Sequence, residues 1–160
     1  MSEYSFPQLF VEDVDSERII CLKNSEYTWA SISEKNNCTK YYGSIPYEEI
    51  LKYIDLEKAI LKRSTILFNT GEPSKALFFS ENTQLCLQEA KGRRVFYIGS
   101  MKHVRKNDLI AYIVTGKNEV RNIYSTCEGF ILAVIDLTWE RPERIIVVMA
   151  IEQPGEIIIR

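Results

Sequence analysis

Along most of the chain, apolar and polar residues alternate in short runs with a period near two, the spacing of half-buried strands. Gln8 to Val11, Arg18 to Leu22 and Tyr27 to Ile32 are expected strands, and Glu34 to Lys40, with Asn36-Asn37, an expected loop. One stretch follows helical spacing instead. Ile50, Leu51, Ile54 and Leu61 form an apolar stripe, Ser44 can cap it, Pro46 fits its first turn, and Glu48 and Glu49 suit the positive end of the dipole. This pattern predicts a helix over about 47–62. From Thr65 the chain reads as strands again: Thr65 to Asn69, Ala76 to Ser80 and Gln84 to Glu89, with turn residues such as Gly71 and Pro73 between them. Arg94 to Ile98, Asp108 to Val114, Glu119 to Tyr124, Phe130 to Leu137, Arg144 to Ile151 and Ile157 to Ile159 follow at close, regular spacing. The expected fold is α+β with β dominant: an amino-terminal α+β region over 1–90 and a small barrel or sandwich over 91–160.

Composition narrows the class. The 160 residues are 46% hydrophobic and 26% charged, enough apolar material for a core and too much for a disordered chain. Twenty Lys plus Arg against 22 Asp plus Glu leave a net charge of -2, so a protein coating nucleic acid over its whole surface is not expected. No apolar run is long enough for a membrane-spanning helix, and Met1-Ser2-Glu3-Tyr4 lacks the layout of a secretory signal, so the expected location is cytoplasmic. Cys21, Cys38, Cys86 and Cys127 contain no CxxC, and His103 is the one histidine. Neither a zinc site nor a disulfide scaffold is suggested.

The richest stretch for function runs from Val95 to Val134. Thr115-Gly116-Lys117-Asn118-Glu119 lies between two β-rich runs, and Gly116 and Asn118 both tolerate positive φ, so Lys117 is expected at a hairpin tip in solvent. Asp108 stands nine residues before Lys117, with Ile110, Ile113 and Thr115 between them, and Glu128-Gly129-Phe130-Ile131 follows. This arrangement resembles the biotinyl/lipoyl carrier domains, whose pattern runs roughly G-D-x-L-x-x-V-E-T-D-K-A and then D-G-V-V. Val104 to Asp108 is similar to the preceding carrier turn, with Asn107 in place of glycine. More narrowly, Asp108, Leu109, Ala111, Tyr112, Thr115, Gly116, Lys117, Glu119, Val120, Arg121 and Gly129 resemble the shared stretch of an archaeal family of uncharacterised proteins. The resemblance implies a barrel-sandwich hybrid, with Lys117 as attachment lysine for biotin or lipoyl, Gly116 shaping the turn and Glu119 as a recognition contact. The residues beside the lysine differ from both carrier classes: Gly116 and Asn118 stand where biotin carriers have methionines and lipoyl carriers Asp and Ala.

Lys91 to Lys106 holds Arg93, Arg94, Lys102, Arg105 and Lys106 with no acid, a local asymmetry in an acidic chain. These residues suit a small anionic ligand or a phosphate backbone; the plainer reading is a solvated rim around the strand Val95 to Ile98. His103 can be drawn with Cys127 as a catalytic pair, and Trp29, Tyr41 and Tyr42 as pocket lining, although aromatic residues in β-rich segments usually pack in cores. The expected function is therefore non-catalytic, a carrier-like or protein-interaction module with an unidentified protein partner. An anion-binding module is the first alternative and a small enzyme with a pocket between the two halves the second. The carrier reading requires an exposed Lys117, and the anion-binding reading requires that the basic side chains share a face.

Overall fold

The computed structural model describes residues 7–68 and 74–160. The expected turn at Gly71 and Pro73, the strand end at Asn69 and the segment Met1 to Tyr4 lie outside them. The protein is mainly β, and it divides into two compact units, residues 1–83 with 154–160 and residues 84–153. A single cut after residue 90 does not describe this division. Residue 90 lies within a strand, and the last residues return to the first unit.

The first unit contains β1 (Gln8–Glu12), β2 (Arg18–Lys23), β3 (Glu26–Ser31), β4 (Lys40–Ile45), the short pair β5 (Ile54–Asp55) and β6 (Ile60–Leu61), then β7 (Thr65–Phe68) and β8 (Lys75–Phe79). The second contains β9 (Leu85–Gly92), β10 (Arg94–Tyr97), β11 (His103–Val104), β12 (Leu109–Val114), β13 (Val120–Tyr124), β14 (Gly129–Leu137) and β15 (Glu143–Ala150). β16 (Gly155–Ile158) completes the sheet of the first unit, whose order is β16-β8-β7-β1-β4-β2-β3. Its two edges meet. Ile159 bridges Tyr27, the Arg160 amide donates to the Tyr27 carbonyl at 2.9 Å, and the Trp29 amide donates to the Arg160 carbonyl at 3.1 Å. A sheet closed in this way has no exposed edge along that seam and has an inside. One face packs Phe10, Ile20, Tyr42, Ile66, Phe68, Ala76 and Ile159, with Tyr27, Trp29 and Phe78 against them. Gly43 in β4 is required by close approach, because a Cβ there would run into the Val14 carbonyl.

The helix expected over 47–62 does not form. Tyr47–Tyr53 is a 3₁₀ segment, after which the chain turns back on itself as β5 and β6. Asp55 explains the change: its Oδ1 accepts the amides of Glu57 at 3.0 Å and Lys58 at 3.1 Å, and Ala59 follows at φ 54°. A side chain that captures amides two and three residues on offers the backbone an alternative to the helix. The Leu61 amide then donates to Thr83 and the Lys62 amide to Tyr53. The expected loop after Glu34 is also partly structured, as a 3₁₀ turn over Ile32–Asn37 with Ser31 and Glu34 forming a capping box. Ser44, expected as a cap, lies in β4.

The second unit consists of two antiparallel sheets, β10-β12-β13 and β11-β14-β15-β9. They enclose one core, built on Val95, Ile110, Ala111, Ile131, Ile145, Val147 and Met149. All four cysteines are bonded, Cys21 to Cys38 with Cα atoms 5.5 Å apart and Cys86 to Cys127 with Cα atoms 6.6 Å apart. This corrects the sequence expectation of no disulfide. Sequence separations of 17 and 41 residues carry no motif, and strand pairing brings the partners together. No helix among the described residues is long and apolar enough to cross a membrane.

Candidate functional site

Lys117 stands in the turn that joins β12 to β13. Ile113 pairs with Arg121 and Val114 with Val120, so the hairpin closes in register up to the turn. The Thr115 amide donates to the Glu119 carbonyl at 2.8 Å and the Asn118 amide to the Thr115 carbonyl at 2.9 Å. Thr115 Oγ1 accepts the amides of Lys117 at 3.3 Å and Glu119 at 3.2 Å. One threonine thus ties both sides of the tip. The left-handed residue is Asn118, at φ 64°, and Gly116 has no positive φ, contrary to the expectation that both shape the turn that way. A Cβ at Gly116 would meet nothing within 4 Å, so packing does not require a glycine there.

The Lys117 side chain is exposed and makes no ion pair among the described residues. Glu119 is exposed as well and pairs with Arg121 at 3.7 Å, an arrangement that contributes little in water. At the other end of β12, Asn107 holds φ 74°, in the left-handed region that favours glycine. Asp108 accepts the Arg105 amide at 2.9 Å, and the Ser125 amide donates to the Asp108 carbonyl at 2.8 Å. Asp108 is therefore a turn former.

The basic residues fall into two groups. Arg94 pairs with Val114, and the Arg93 amide donates to the Val114 carbonyl at 2.8 Å, which places both beside the Lys117 turn. Arg105 and Lys106 precede the opposite end of β12, with Lys102 just before β11. Six residues of strand, roughly 17 Å, separate the groups. His103 faces Glu128 at 3.6 Å and rests on Phe130, while Cys127 lies in a disulfide and has no thiol to act as nucleophile. The pair drawn from sequence is thereby removed.

The first unit holds the aromatic residues singled out as pocket lining. Tyr42 is buried, and burial raises its hydroxyl pKa well above the usual value, with the neighbouring Tyr27 adding to the effect. Tyr41 instead reaches outward and donates to Asp15 at 2.7 Å. That bond, with Lys35 at 3.1 Å, holds the Asp15 carboxyl below its ordinary range. Trp29 packs against Phe10 and Phe68 and carries the Arg18 guanidinium over its ring at 3.9 Å. A cavity of about 660 Å³ opens beside them, lined by Gln8, Phe10, Glu17, Arg18, Ser44, Ile45 and Pro46. Sequence reading missed it, because its lining comes from β1, β2 and β4 and no local motif joins them.

A second feature was not legible as a site. On β10, Val95 and Tyr97 turn inward and Arg94 and Phe96 outward; Phe96 is in register with Tyr112, and the rings stack with centroids 4.8 Å apart. Phe96, Leu109, Val120 and Tyr124 are 40%, 41%, 65% and 51% exposed, an apolar outer face on a three-stranded sheet.

The family described as "uncharacterized protein conserved in archaea" (DUF2118) matches residues 4–152. No curated protein matches the chain.

Proposed function

The chain belongs to this archaeal-conserved family, and from that premise we propose a non-catalytic, carrier-like or protein-interaction module whose working point is Lys117. One observation carries the reading: an exposed lysine amine, without an ion-pair partner among the described residues, at a threonine-braced tip between two strands of a compact two-sheet unit. On this reading the second unit is a barrel-sandwich hybrid, and the facing sheets of three and four strands support it. Asn107 supports it too, by supplying the conformation that the carrier turn needs.

The turn fits attachment in its access and bracing. A biotin or lipoyl group joined to Nζ as an amide would supply the carried chemistry, and the chain's own part is presentation. Glu119 stands beside the lysine as a contact for a modifying or partner protein. A cytoplasmic setting belongs to this reading, although structural disulfides are rare in that compartment outside hyperthermophiles.

The test is the intact mass of the protein isolated from its native cells, followed by peptide mapping. A biotin-sized or lipoyl-sized increment on Lys117 is the expected result for a carrier. Fully unmodified Lys117, together with no protein captured by the wild type but lost with Lys117→Ala, would overturn the reading.

A further inference from the structure

We propose that the outer face of β10-β12-β13 binds single-stranded nucleic acid. The charge balance of the second unit points that way. Residues 84–153 hold ten Lys and Arg against eight Asp and Glu, whereas the first unit holds ten against 14. The acidic whole conceals a basic part.

Pairing sharpens the asymmetry. Arg144 is held by Glu89 and Glu140 at 2.7 Å each, Arg121 by Glu119 and Arg141 by Glu143, so these three arginines are engaged. Arg93, Arg94, Lys102, Arg105 and Lys106 make no ion pair among the described residues and lie in two groups at the ends of β12. Between the groups lies the outer face with its stacked Phe96 and Tyr112, and Tyr124 beside Leu109. Inward-pointing Val95, Tyr97, Ala111 and Ile123 fix which side chains turn outward, and no acid stands on the outer positions of these three strands.

Cations at both ends of an acid-free aromatic sheet match a chain that carries its charge on a backbone and its flat rings beside it. Sheets that bind single strands combine a basic track with aromatic side chains on which bases stack. A small anion would use one end alone and leave the aromatic face without a role. An acidic polypeptide would use the charges but not the exposed ring faces. The inference is independent of Lys117, because different residues carry it.

Fluorescence anisotropy of the full-length protein with a labelled oligouridine of about 12 nucleotides tests the proposal. If about four phosphates are contacted, affinity is expected to fall roughly 50-fold between about 50 and 200 mM salt. Phe96→Ala is expected to weaken binding roughly tenfold or more while leaving the protein folded, with at most a small fall in melting temperature. Arg94→Gln with Arg105→Gln is expected to flatten the salt dependence, and duplex of equal length should compete poorly. Absence of binding at low salt would overturn the proposal. So would binding that Phe96→Ala leaves intact and that poly-glutamate displaces as readily as oligouridine, since the face would then be a non-specific cation surface.

Discussion

In the first unit, Phe10, Trp29 and Phe68 meet edge to face, with ring centroids 5.5 and 5.3 Å apart, within a sheet whose edges meet. In the second, Phe96 and Tyr112 stack on the outer side of a three-stranded sheet. Both clusters come from aromatic residues on β-strands. The difference is one of closure. A sheet that closes has an interior to fill with rings, whereas a short sheet that covers a core with one face leaves its other face to solvent. Charge follows the same division. The first unit ties Asp15 to Lys35 and Tyr41, and Glu12 to Lys40, while the second pairs Arg121, Arg141 and Arg144 but leaves two groups of cations without an ion pair among the described residues. An aromatic residue on a strand is thus a core residue or a surface residue according to the sheet that holds it.

The sharpest test of this contrast substitutes one ring from each cluster. Phe10→Ala is expected to cost about 3–5 kcal/mol in chemical denaturation, because the residue is 3% exposed and the cavity left behind is walled by other rings. Phe96→Ala is expected to cost less than about 1 kcal/mol. Equal losses would remove the distinction between the clusters.

The disulfides come next in size. On the chain-entropy account, losing Cys86–Cys127 costs about 4 kcal/mol and losing Cys21–Cys38 about 3 kcal/mol, because the bridged separations are 41 and 17 residues. Calorimetry of Cys86→Ser/Cys127→Ser and of Cys21→Ser/Cys38→Ser checks both values. The first double variant is expected to show the larger drop.

Titration gives a smaller effect. Burial raises the Tyr42 pKa, so the unfolded chain loses its proton first as pH rises past about 10, and the folded state loses stability from there upward. Below that pH the contribution is complete. Tyr42→Phe is expected to flatten the alkaline fall in melting temperature. The smallest effect is at Asp15, whose lowered pKa adds stability above the ordinary carboxylate range and loses it as pH falls through the folded value. The difference in melting temperature between wild type and Asp15→Asn is expected to hold from neutral pH down to about pH 4 and to shrink below it.

Particular residues show how far sequence carries. The tip at Thr115 to Glu119 was legible because a turn is local: Asn118 tolerates φ > 0 and apolar runs flank it on both sides. The helix at 47–62 was misread for a reason also present in the sequence, the amide-capturing Asp55, which the apolar spacing outweighed. β4 was missed because Ser44 read as a helix cap, although the strand runs through it and Gly43 admits the Val14 carbonyl. The two groups of cations are contiguous in sequence and separated in space, because β10 carries the chain along β12 between them.

What the sequence determined by itself is what depends on neighbours along the chain: strands of period two, a hairpin with an exposed lysine, a predominance of β structure and a local excess of positive charge. Tertiary structure decided the rest. It returned residues 154–160 to the first unit, paired the cysteines, closed one sheet and left another with an aromatic outer face. Each of these joins residues far apart in the chain through hydrogen-bonded strand registers or packing, and such long-range partners leave no fixed spacing to read.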